Sequence, residues 1–103
     1  MSPKRMLVVD DALIMRRRIK EIAEEAGWVV VAEANDGEEA LTLYREHRPD
    51  LVTLDIVMPN MDGVSALKQL MKEYPEARVV MVSAVNQRDK LVECIQTGAL
   101  DFI

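Results

Sequence analysis

Short apolar runs alternate along this chain with longer stretches of helical period. Met6-Leu7-Val8-Val9 carries no polar residue and halts at Asp10-Asp11. Four apolar residues without alternation predict a strand buried on both faces. The period then changes. Met15, Ile19, Ile22, Ala23 and Ala26 recur at helical spacing, and Arg16, Arg17, Arg18, Lys20, Glu21, Glu24 and Glu25 fall largely on the other, solvated side. Gly27 supplies a stop. Val29-Val30-Val31-Ala32 is β-branched and predicts a second strand. Asp36 with Glu39 three residues on predicts a helix start. Ala40, Leu41, Leu43 and Tyr44 continue that helix to near His47, with Pro49 just beyond.

Leu51-Val52-Thr53-Leu54 predicts a third strand that ends on a single carboxylate, Asp55. A turn rich in Pro, Asn, Asp and Gly follows, in which Asp62 and Gly63 read as turn and helix start. Val64, Leu67, Leu70, Met71 and Tyr74 form the next helical stripe, ended by Pro75. Val79-Val80-Met81-Val82 is a fourth strand, stopping at Ser83. Asn86 and Asp89 signal another helix start, with Leu91, Val92 and Ile95 on its apolar side and Gly98 closing it. Leu100-Asp101-Phe102-Ile103 begins a fifth strand.

Strand and helix thus alternate four times within one domain, residues 1–103. This predicts an α/β fold, a doubly wound parallel sheet with helices on both faces. In such sheets the ligand site lies at the carboxyl ends of the strands. Polar groups stand at those ends: Asp10 and Asp11 after the first strand, Asp55 after the third, Ser83 after the fourth. If the first and third strands are neighbours, three carboxylates converge.

Composition narrows the function. Half of the residues are hydrophobic and 30% are charged, so a packed core is expected in place of disorder. The only aromatic residues are Trp28, Tyr44, Tyr74 and Phe102, which leaves an aliphatic, Met-rich core. A net charge of -5 argues against a nucleic-acid surface in this segment and favours a cationic partner, metal or protein. The lone Cys94 allows no internal disulfide and fits a cytoplasmic location and a core position. No stretch approaches the ~20 apolar residues of a membrane span.

Converging carboxylates repel and raise one another's pKa values. A hard divalent cation relieves this, and Mg²⁺ takes one or two carboxylates together with water and phosphate oxygens. Asp55 is the candidate nucleophile, since a phosphoryl group brought to the same metal loses much of its charge penalty. Ser83 is placed to hydrogen-bond a phosphoryl oxygen.

Asp10-Asp11 after an apolar strand, the run Leu54-Asp55-Ile56-Val57-Met58-Pro59-Asn60-Met61-Asp62-Gly63, Ser83-Ala84, and Thr97-Gly98-Ala99-Leu100-Asp101-Phe102 together resemble the receiver domain of two-component response regulators. The resemblance runs from about Arg5 to the last residue. It implies the flavodoxin-like strand order 2-1-3-4-5, of which chemotaxis receivers are a known example. It implies that Asp55 takes a phosphoryl group from a histidine kinase. Asp11, Asp55 and the main-chain carbonyl of Val57 would bind Mg²⁺, with Asp10 acting mostly through water. Ser83 would hold the phosphoryl group, and Phe102 would be a switch aromatic that signals to an output domain or target protein. Val57 and Val85 match positions that influence loss of the phosphoryl group, and as aliphatic residues they imply slow self-dephosphorylation.

In the family a Lys, then Pro and a fifth helix, follow the position of Ile103. The resemblance therefore implies a receiver truncated in the fifth strand, with apolar surface uncovered and self-association or strand exchange through that edge. Two other functions compete. A phosphatase of the haloacid dehalogenase type also uses a strand-end Asp but needs a second Asp two residues later, where Val57 stands. An interaction fragment without competent phosphorylation is the alternative.

Overall fold

A computed structural model describes residues 4–82 and 88–102, with the side chains of Arg88 and Phe102 outside that description. The five strands are β1 (Lys4–Val9), β2 (Trp28–Ala34), β3 (Leu51–Leu54), β4 (Val79–Met81) and β5 (Asp101–Phe102). The helices are α1 (Leu13–Glu25), α2 (Gly37–His47), α3 (Gly63–Glu73) and α4 (Arg88–Thr97). The strands form one parallel sheet of order β2-β1-β3-β4-β5. This is the predicted order.

Side chains of β1 alternate between two cores, as the two-residue period of a strand demands. Leu7 and Val9 enter the larger core with Val52 and Leu54 of β3, Ala40 and Tyr44 of α2, Leu67 and Leu70 of α3, and Cys94 of α4. Met6 and Val8 enter the smaller core with Ala23 and Ile19 of α1. The apolar run of β1 therefore has no polar position to spare. Fully burying a Leu such as Leu67 contributes about 1.5–3 kcal/mol.

Beside α1, on the smaller core's side, an open groove of about 480 Å³ is lined chiefly by apolar residues such as Met6, Ile19, Ile22, Trp28 and Val80. Ile22 is 68% exposed at its edge. Thr53, in the middle of β3, is buried, and its hydroxyl has no hydrogen-bond partner among the described residues.

Local chemistry sets the helix ends. The Asp36 side chain accepts from Glu39 N at 2.8 Å and caps α2, and the Asp62 side chain accepts from Ser65 N at 2.9 Å and caps α3. Gly27 follows α1 with φ +89°, the left-handed backbone that glycine adopts without a steric penalty. Arg48 ends α2 with φ 46°, and Arg5 Nη1 donates to the carbonyls of His47 and Arg48 at 2.6 and 3.2 Å. β1 starts at Lys4, two residues before its apolar run, because Lys4 and Arg5 pair with Trp28 and Val29 of β2. β2 likewise extends past the β-branched run, from Trp28 to Ala34.

Candidate functional site

Sheet register builds the site. Val9 pairs with Leu54 across β1 and β3, and Leu54 pairs with Met81 across β3 and β4. The residues that follow Val9 and Leu54 are Asp10 and Asp55, so parallel pairing sets them side by side. The Asp55 N–H donates to the Val9 carbonyl at 3.0 Å, which carries the pairing one step past the strand end. Carboxylate oxygens of Asp10, Asp11 and Asp55 all lie within 4.8 Å of one another. The three expected carboxylates do converge.

Their environments differ. Asp10 is buried, Asp55 half-buried and Asp11 exposed. One Asp10 oxygen, Oδ1, accepts from Ala12 N at 2.9 Å and turns the chain into α1, whose N-cap is Ala12. Neither Asp10 nor Asp11 caps that helix. Asp55 Oδ1 accepts from Ile56 N at 2.8 Å.

Burial pushes the Asp55 carboxyl up to about 6, with the neighbouring Asp10 charge adding to it and hydrogen bonds from Ile56 and Val57 opposing it. Burial likewise raises Asp10, against the Ala12 hydrogen bond, and Asp11 adds repulsion. Mutual repulsion was the sequence-based reason for expecting raised values. Burial is the larger cause.

The loop after β3 is held from two sides. Gly63 N donates to the Ile56 carbonyl at 2.8 Å, Gly37 N donates to the Met61 carbonyl at 3.1 Å, and Asn60 Nδ2 donates to Asp36 Oδ2 at 2.9 Å. Asp62, as expected, is a cap and stands outside the acidic cluster. Val57 is about half exposed at the rim. Ser83, Val85 and the side chain of Phe102 lie outside the described residues, although the Phe102 backbone pairs with Met81 in β5.

One reading needs correction. Arg16 was expected on a solvated face with Arg17 and Arg18. Its side chain is only 16% exposed and bonds Glu33 Oε1 through Nε at 3.2 Å and the Asp10 carbonyl through Nη1 at 2.7 Å. Glu33 lies far from Arg16 along the chain and Asp10 lies before α1 begins, so helical period alone does not reveal either partner. Arg17 and Arg18 are exposed as expected.

Three close oxygen donors of mixed burial suit a hard cation, and the raised carboxyls show the strain such an ion would relieve. The donor set fits Mg²⁺ chemistry and lacks the His and Cys groups that softer metals favour.

Comparison with known proteins gives a consistent result. The family model of the response regulator receiver domain matches residues 6–103. The chemotaxis protein CheY of Bacillus subtilis (strain 168) is 50% identical over 99 residues, covering 96% of this chain and 82% of that protein. Among solved structures, the CheX-CheY-BeF3-Mg²⁺ complex from Borrelia burgdorferi matches with TM-score 0.94 and 38% identity, over 98% of this chain and 77% of the other. The response regulator domain of Thermotoga maritima CheB matches with TM-score 0.92 and 41% identity, over 99% and 78%.

Proposed function

Because this chain belongs to the response regulator receiver family, and so serves phosphorylation-dependent two-component signalling, we propose that Asp55 is its phosphoacceptor. The observation that carries this reading is the convergence of Asp10, Asp11 and Asp55 at the ends of two adjacent strands. The phosphoryl donor is the phosphohistidine of a histidine kinase. An Asp55 carboxylate oxygen attacks phosphorus, the P–O bond forms as the P–N bond breaks, and the electron pair leaves on the imidazole. The product is an acyl phosphate, and the domain acts as a switch, not a turnover enzyme.

Asp11, Asp55 and the main-chain carbonyl of Val57 hold Mg²⁺, with Asp10 acting through water. Bound there, Mg²⁺ offsets the negative charge that the phosphoryl group brings. Asp55 must be ionised to attack, and a neighbouring cation lowers its raised pKa toward that state. The presence of BeF3 and Mg²⁺ in the related CheX–CheY complex supports a Mg²⁺ requirement for this fold. Ser83 contacts the phosphoryl group, and Ser83 and Phe102 carry the change to an output domain or target protein. The aliphatic Val57 side chain at the rim offers no group to orient water, so the acyl phosphate is lost slowly.

Incubation with Mg²⁺ and acetyl phosphate, followed by intact mass measurement, tests the reading. A single phosphoryl adduct is expected, absent without Mg²⁺ and absent in Asp55→Asn. A chain that gains no adduct contradicts it.

The groove beside α1 favours one additional property, self-association through a second copy. Average mass by light scattering should then rise with concentration and fall in Ile22→Glu. A monomer throughout excludes it.

A further inference from the structure

Arg16 is the one arginine of the Arg16-Arg17-Arg18 run that turns inward. Withdrawing a guanidinium from water is costly unless its donors find partners. Here they find two, on two different strand ends. Nη1 donates to the Asp10 carbonyl at 2.7 Å and Nε to Glu33 Oε1 at 3.2 Å. Glu33 lies at the end of β2, where it pairs with Val8. The planar guanidinium therefore joins the ends of β1 and β2 from the first turn of α1.

The Asp10 main chain is consequently fixed on both sides. Its N–H donates to the Ala34 carbonyl at 3.0 Å, and its own carbonyl accepts from Arg16. Its side chain accepts from Ala12 N at 2.9 Å. Asp11, the exposed member of the cluster, hangs between Asp10 and Ala12, so its placement depends on this turn. Arg16 brings a positive charge toward the cluster, which by itself would disfavour a cation. Glu33 balances that charge and leaves position as the main effect of the pair.

We propose that Arg16 is a positioning residue for the acidic site, clipping the Asp10-Asp11 turn to β2 so that Asp11 stays in reach of the Asp10 and Asp55 carboxylates. The inference rests on the Mg²⁺ reading given above. Charge and position predict opposite outcomes. If only charge mattered, Arg16→Met would bind Mg²⁺ more tightly, and Arg16→Lys would bind as the parent does. If position matters, both variants bind less tightly, because neither can bridge two partners at once.

Calorimetric titration of the 103-residue chain with MgCl₂ tests this. Urea unfolding establishes that each variant is folded at the titration temperature. Loss of groups that orient metal ligands typically weakens affinity by 10–100-fold, and about 10-fold is expected for both variants. Arg16→Lys keeps charge and aliphatic stem and carries the test should Arg16→Met not fold. Parent-like affinity in Arg16→Lys, or tighter binding in Arg16→Met, overturns the proposal. A parent chain that itself gives no Mg²⁺ heat overturns the metal reading beneath it, a distinguishable result.

Discussion

Gly63 packs against the main-chain carbonyl of Asp55 so closely that a β-carbon at Gly63 would collide with its oxygen and stand 2.8 Å from the Ile56 α-carbon. The first residue of α3 is thus docked onto the backbone of the site residue. Relief would require moving main chain, not a flexible side-chain end. Gly63→Ala should destabilise the fold by about 1–3 kcal/mol, the usual cost of overpacking. Urea unfolding would read this as a lower midpoint. Acetyl phosphate labelling of whatever remains folded should fall with it, since the Asp55 carbonyl must shift. A parent-like midpoint and parent-like labelling would show that the contact is slack.

The raised carboxyls make stability depend on pH in an unusual direction. Asp55 moves from 3.8 to about 6 on folding, and Asp10 moves the same way. The folded state therefore holds these protons more tightly than the unfolded one. The stabilising contribution of Asp55 is complete below 3.8 and is lost as pH rises through about 6, and that of Asp10 is lost in the same direction. In Asp55→Asn that loss is absent. The variant should gain on the parent between pH ~4 and ~7, by about 1–2 kcal/mol once solvent screening of this half-buried carboxyl reduces the 1.36 kcal/mol per pKa unit. Unfolding free energies in EDTA across that range measure it. Saturating Mg²⁺ should remove most of the difference. A constant gap across pH would mean that Asp55 is not raised.

Thr53 offers a cleaner stability test, away from the acidic site chemistry. Among the described residues its buried hydroxyl has no partner, which costs roughly 1–3 kcal/mol. Thr53→Val keeps the shape and removes the polar atom. It should raise the urea midpoint, with a gain of about 1 kcal/mol. A loss of stability would mean that water or another group satisfies the hydroxyl.

Much of this architecture is legible in the residues themselves. The switch from short, mainly apolar runs to helical period locates the strands and helices of the described residues, because a strand buried on both faces tolerates few polar positions. Asp55 stands out for the same reason, as a charge placed where such a run leaves the core. The caps at Asp36 and Asp62 are local hydrogen bonds and equally visible. What escapes is long-range. The inward turn of Arg16 depends on where β2 ends, and the early start of β1 depends on pairing with Trp28 and Val29 of β2, far along the chain. Neither partner lies within a helical or strand period. The depth of Asp10 was also hidden. Its paired neighbour reads as the same charge, yet one is buried and the other exposed.

The central claim is that one carboxylate, Asp55, takes the phosphoryl group. Borohydride reduces an acyl phosphate to an alcohol, so it converts phosphorylated Asp55 to homoserine and marks the site permanently. The chain labelled with acetyl phosphate and Mg²⁺, reduced, digested and mapped by mass spectrometry should carry homoserine at position 55 alone. Homoserine at position 10 or 11, or a phosphoryl group that resists reduction because it sits on a hydroxyl, would contradict the account.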